Sequence, residues 1–123
     1  MKERVALIGA SADPEKYSNK AFHFLKQNGH EVVPVHPKLE TLEGVKVYPS
    51  IDAVPGPVDT VTMYVSKEVS SKIAGAILQK APKRIIFNPG AENPELAEAA
   101  KKAGIRVQEA CTLVLLRTNQ FEK

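Results

Sequence analysis

Six short apolar runs alternate with three stretches of helical spacing, and this alternation limits the fold more than any other feature of the chain. RVALIG (residues 4–9) is short and aliphatic, as a buried strand requires. SNKAFHFLKQNG (18–29) has Ala21, Phe22 and Leu25 at helical spacing, Ser18 placed to cap its start and Gly29 to end it. EVVPVHP (31–37) is a second strand whose prolines suit pairing on one side only. GVKVYPS (44–50) reads as a short strand running into a turn, and IDAVPGPV (51–58) as a connection with one helical turn at 51–54. VDTVTMYV (58–65) is a strand; Ser66 then caps a helix with Val69, Ile73 and Ile77 on one face, which Ala81-Pro82 stops. RIIFN (84–88) is a strand. Asn93-Pro94 starts a third helix, with Leu96, Ala99, Ala100 and Ala103 as its apolar side and Gly104 as its C-cap. IRVQE (105–109) is a last strand, and ACTLVLLRT (110–118) fits a helix or a strand equally.

Strands that alternate with helices pair in parallel, with helices on both faces. The right-handed crossover rule then predicts an α/β fold, a Rossmann-like doubly wound sheet in three layers. At 123 residues and 43% hydrophobic, the chain suits a single domain over 1–123. Ligands of such sheets lie beyond the carboxyl ends of the strands. The residues to examine therefore follow Ile8, Val35, Tyr64 and Phe87.

Composition narrows the function. The net charge is +3, from 17 basic and 14 acidic residues, with no long basic run and no Trp, so a nucleic-acid role has no support. No apolar stretch approaches the ~18 residues of a membrane span, and the apolar part of MKERVALIGAS is too short for a secretory leader. The expectation is a soluble cytoplasmic protein. Cys111 is the single cysteine, which excludes an internal disulfide and a zinc cluster of cysteines.

The loop after the first run is Gly9-Ala10-Ser11-Ala12-Asp13-Pro14-Glu15-Lys16-Tyr17-Ser18. A dinucleotide fingerprint needs glycine again two and five positions after the first, where this chain has Ser11 and Pro14. The tight NAD-type turn is absent. Gly9 still permits close backbone approach, the helix start carries partial positive charge, and Ser11, Lys16 and Ser18 add donors. An ordinary strand-to-helix loop fits these residues equally. After the second strand an NAD site places a carboxylate for the ribose hydroxyls. Here the residues are His36, Pro37 and Lys38. A cation in place of an acid suits a ribose with an extra phosphate, which both coenzyme A and NADP carry.

VALIGAS, the long loop with Pro14 and Lys16, VVPVHPK, GVKVYPS and VDTV together resemble the small bacterial and archaeal CoA-binding proteins. They also look like the N-terminal CoA-binding domain of acyl-CoA ligases of the succinyl-CoA synthetase type. The likeness spans nearly the whole chain. It implies a Rossmann fold that binds coenzyme A, without catalysis by the lone domain. It further implies that Gly9, Ala10 and Ser11 line the pyrophosphate, beside a helix start near Ser18 and Asn19, with Lys16 near the phosphates. His36, Pro37 and Lys38 would flank the adenosine, Tyr48, Pro49 and Ser50 would sit beside it, and Tyr64 and Val65 would back the crevice. The chain departs from the family's common Asn-Pro at His36-Pro37; a histidine donates one hydrogen bond but is bulkier. FNPGAEN (87–93) falls where members vary, and Cys111 where many have a cysteine after the last strand.

No catalytic set emerges from the order of motifs. His23 reads as an ordinary helix residue and His30 as a surface residue after the helix end. Glu92 reads as an exposed turn residue, Cys111 as a packed core thiol. The leading expectation is a non-catalytic module that binds coenzyme A or an acyl-CoA, with a homodimer or a protein partner left open. The alternatives are an NADP-dependent oxidoreductase fragment, which the missing glycines oppose, and a stand-alone subunit of an acyl-CoA ligase.

Overall fold

The computed structural model describes residues 2–122. Five of the apolar runs form one parallel sheet: β1 (Arg4–Ile8), β2 (Glu31–Val35), β5 (Thr60–Met63), β6 (Arg84–Phe87) and β7 (Arg106–Glu109), in the order β2-β1-β5-β6-β7. The chain starts in the interior at β1, moves out to β2, then crosses back to β5 on the other side of β1. That reversal between β1 and β5 is where a doubly wound sheet opens a crevice.

β1 reads as an unbroken apolar run because both its faces are covered. Ala6 and Ile8 join the core beneath α2 (Lys67–Lys80) and α3 (Pro94–Lys102), with Ile77, Leu96, Ala97 and Ala100. Val5 and Leu7 face α1 (Tyr17–Gln27) and α4 (Thr112–Arg117), with Phe22, Leu25, Leu113 and Leu116. These are the expected three layers, with 110–118 resolved as helix because its leucines cover the second face.

The segment 44–50 does not extend the parallel sheet. β4 (Val45–Lys46) pairs antiparallel with β3 (Thr41–Leu42). The turn between them has positive φ at Glu43 and Gly44, the conformation of tight hairpins. Only one bridge follows, Val35 to Tyr48, in which the Tyr48 N–H donates to the Pro34 carbonyl and the His36 N–H to the Tyr48 carbonyl. The Pro34 carbonyl points to this outer side, so its nitrogen does too, and no bond to β1 is lost at the proline. In α3 the buried positions are Leu96, Ala97 and Ala100, while Ala103 is the exposed C-cap. Gly104 follows it with φ +83°.

His30 is not on the surface. It is 5% exposed, its Nδ1 accepts from the Glu3 N–H at 3.0 Å, and its ring stands 5.0 Å from that of Phe121. Phe121 also brings its carbonyl to Arg84, whose guanidinium donates to it at 2.7 Å and to the Glu3 carboxylate at 3.2 Å. The C-terminal residues thus close the amino end of the sheet, opposite the crevice. No helix among the described residues is long and apolar enough to cross a membrane.

Candidate functional site

A cavity of about 540 Å³ opens at the carboxyl ends of β1, β2 and β5. Most of the expected residues meet there. Gly9, Ala10, Ser11, Lys16 and Ser18 form one wall; His36 and Pro37 form the second. Pro49 and Ser50 stand opposite, and Tyr64 and Val65 form the back. Val69 and Ile73 of α2 complete it with an apolar patch that the sequence reading had assigned to helix packing alone. Val69 is 44% exposed although it shares a helix face with fully buried Ile77.

Three expected residues lie outside the cavity. Asn19 is buried, and its amide donates to the Ser11 carbonyl at 2.8 Å, so it holds the loop rather than facing the opening. Lys38 is exposed beyond the wall, with its backbone N–H donating to His36 Nδ1 at 3.0 Å. Tyr48 acts through its backbone bridge to β2, with Lys46 Nζ 5.0 Å above its ring.

Gly9 serves the fold before it serves any ligand. Its φ is +93°, and a Cβ there would stand 2.8 Å from the Tyr64 carbonyl oxygen and 3.0 Å from Val65 Cγ1. β1 and the segment after β5 approach too closely for a side chain at this position, whatever the ligand. Its N–H is also occupied, since Gly9 and Ala10 both donate to the Val35 carbonyl, at 3.1 and 3.2 Å.

The free donors come one step later. Among the described residues, the N–H groups of Ser11, Tyr17 and Ser18 donate to no protein acceptor. Ser18 is not the N-cap, as its sequence position suggested; it is the buried second residue of α1, and Lys16, with extended backbone, precedes the helix. No side chain caps α1 and no acid lies in its first turn. By contrast Ser66 Oγ accepts from Val69 N–H at the start of α2, and Asn93 Oδ1 from Leu96 N–H at the start of α3. The positive end of α1 is thus left open to the cavity.

His36 is held in one tautomer. Its Nδ1 accepts from the N–H groups of both Lys38 and Leu39, at 3.0 and 3.1 Å, so the proton of the neutral ring is on Nε2. Tyr64 has a buried hydroxyl without a hydrogen bond of standard geometry, close to Thr112 and Thr62. Burial pushes its pKa far above the usual phenol range, so it stays neutral. Beneath it Asn88 is saturated: its amide donates to Thr62 Oγ1 and the Met63 carbonyl, and its oxygen accepts from Thr112 N–H.

Tyr64 also lines a neighbouring cavity of about 400 Å³, which includes Cys111. Cys111 is partly buried at the start of α4, where it packs against the core beneath α1 and α4. Glu92 is an exposed turn residue, its carboxylate accepting from Gly90 N–H at 3.0 Å.

The sequence and the fold both have relatives. The chain is 32% identical over 114 residues to the alpha subunit of acetate–CoA ligase (ADP-forming) II of Pyrococcus furiosus, a match over 84% of this chain and 25% of that subunit. It is 26% identical over 102 residues to the uncharacterized protein YneT of Bacillus subtilis, covering 83% of this chain and 76% of YneT. The chain thus spans about a quarter of the ligase subunit but most of the smaller relative. The crystal structure of an uncharacterized protein superposes with a TM-score of 0.92 at 36% identity, over 98% of this chain and 99% of that one. The family model described as "CoA binding domain" matches residues 3–117, and with the Rossmann-like crevice already in view the conclusion is direct: the chain belongs to the CoA-binding domain family, related to acyl-CoA ligase subunits.

Proposed function

We propose that this chain binds coenzyme A, or an acyl-CoA, in the cavity at the carboxyl ends of β1, β2 and β5, as a single non-catalytic binding unit. The observation that carries the reading is the open start of α1. Ser18 and Ser11, each with an unpaired backbone donor, line one wall of the cavity with Lys16, and the open end of the helix dipole, where the Tyr17 N–H is also unpaired, lies beside them. This is a site for a pyrophosphate. The adenosine then lies between His36-Pro37 and Pro49-Ser50, against Val69 and Ile73, with His36 Nε2–H as a donor toward it. The missing glycines, and a cation and imidazole where an NAD site needs a carboxylate, speak against a nicotinamide dinucleotide. Family membership supports the same ligand.

Calorimetry with coenzyme A, NADP and NAD tests the reading: coenzyme A should bind at least about tenfold more tightly than either dinucleotide. Binding of NADP with none of coenzyme A would overturn it. The relation to a ligase alpha subunit supports a protein partner as part of the proposal, to be sought by size measurement with and without ligand.

A further inference from the structure

The second cavity, beyond Tyr64, is chemically different from the first. Apolar side chains, Tyr17, Pro89, Leu113 and Val114, form most of its wall. The charged residues lining it are both cations, Lys20 of α1 and Arg117 of α4. Helix geometry explains the pattern: Tyr17 and Lys20 are three residues apart on α1, as are Val114 and Arg117 on α4, so each helix presents one apolar residue and one cation on the same side. Tyr17 and Val114 are 69% and 52% exposed, two of the three large hydrophobic side chains left open on the surface among the described residues.

Neither cation is neutralised. Among the described residues no carboxylate forms an ion pair with Lys20 or Arg117. Lys20 Nζ lies 5.5 Å from the centre of the Tyr17 ring, and Arg117 Cζ 5.4 Å from that of Phe24. Such contacts orient a cation without removing its charge. Asn88, which also lines this cavity, has its amide and carbonyl committed to Thr62, Met63 and Thr112. Recognition of charge in this cavity therefore falls to Lys20 and Arg117.

We propose that the second cavity takes the acyl group of a CoA thioester and favours acyl groups that end in a carboxylate. The inference rests on the reading of the first cavity as the coenzyme A site. With the pyrophosphate at the start of α1, the sulfur-bearing arm leaves past Tyr64, the residue common to both cavities. The methylenes of the acyl chain lie against the apolar wall, and its free carboxylate reaches the two cations at the rim.

The test uses the whole chain and three ligands: coenzyme A, valeryl-CoA and glutaryl-CoA. The two thioesters have the same number of acyl carbons and differ by the terminal carboxylate. Glutaryl-CoA should bind roughly fivefold more tightly than valeryl-CoA, the scale of partly exposed ion pairs. Lys20→Gln and Arg117→Gln should each pull that ratio toward unity. Lys101→Gln, which removes the same charge from the exposed end of α3, should leave the ratio as it was. Equal affinity for the two thioesters, or a ratio that neither cavity variant changes, would overturn the proposal while coenzyme A binding stands. Failure of coenzyme A itself to bind would overturn the reading of the first cavity, and this one with it.

Discussion

Gly9 illustrates how one residue can line a cavity and also be a packing requirement. Its positive φ, and the Tyr64 carbonyl that a Cβ would meet at 2.8 Å, both require glycine in the folded state before any ligand arrives. Gly9→Val is expected to lower unfolding free energy by about 2 kcal/mol or more, the scale of strained backbone plus a clash, seen as a lower urea midpoint of the apo protein. A variant with the parent's midpoint would show that the strands separate at little cost. The two candidate lysines part in the same way. Lys16 lines the cavity and Lys38 does not. Lys16→Gln should weaken coenzyme A by about tenfold and Lys38→Gln by less than about twofold, since a charge counts chiefly where it meets the ligand's phosphates. Calorimetry on both variants checks this, and the reverse order would return the phosphate contact to Lys38.

At the scale of elements, the helix starts differ in a way that separates structure from function. α2 and α3 begin with Ser66 and Asn93, whose side chains each accept a backbone N–H, and each has an acid in its first turn. α1 begins after Lys16 with neither. Asn93 does more than cap: its amide donates to Ser70 Oγ at 2.7 Å, tying α3 to α2. Asn93→Ala should therefore cost about 2 kcal/mol, the upper end for a lost cap, in chemical denaturation. For α1 the opposite change is informative. Lys16 has the extended backbone of an N-cap, φ −78° and ψ 142°. Lys16→Asp should accordingly stabilise the apo protein by about 0.5–1 kcal/mol while abolishing coenzyme A binding, because a carboxylate would then occupy the donors proposed for the pyrophosphate. A stabilised variant that binds like the parent would remove α1 from the site.

Across the whole molecule, the end of the sheet away from the crevice is closed by residues from both ends of the chain. Phe121 covers His30 and Arg84, and Glu3 takes bonds from Arg84 and supplies the N–H that fixes His30 Nδ1. Burial is the largest influence on His30 and holds its pKa below the ordinary 6.5, against the opposing pull of Glu122 and Glu3. The unfolded chain therefore binds more protons than the folded one below 6.5. Stability is full above that pH and declines as pH falls from 6.5 toward the folded pKa. Thermal melts between pH 7.5 and about 5 should show this decline in the parent and a smaller one in His30→Asn, which keeps an acceptor and loses the titration. Equal declines would place the sensitivity elsewhere. Phe121→Ala should cost about 3 kcal/mol and flatten the same pH dependence, since it opens the ring to water.

The order of elements, the parallel sheet and the loops after β1 and β2 could be read from local patterns; the roles of Pro49, Ser50, Tyr64 and Val65, which complete the eleven of fourteen candidate residues around one cavity, came from the family resemblance. Apolar runs of strand length, helical spacing and the Asn93-Pro94 start are short-range signals, and the crossover rule converts them into an architecture. What failed depended on distant parts of the chain. Residues 44–50 have a strand's composition, but β2 offers them only one bridge, so they fold back on β3. Ser18 has a cap's chemistry, but the helix starts one residue before it. His30 has a surface residue's surroundings in sequence, yet Phe121, some ninety residues later, buries it. Val69 and Ile73 follow a helix period, and only the crossing of α2 over the crevice turns them into cavity wall. The sequence by itself determined most of the strands and helices and the parallel order of the main sheet, because those follow from periodicity and handedness. The tertiary structure alone decided which donors are free, which glycine is sterically required and which charges face a cavity, because each depends on atoms brought together from remote positions.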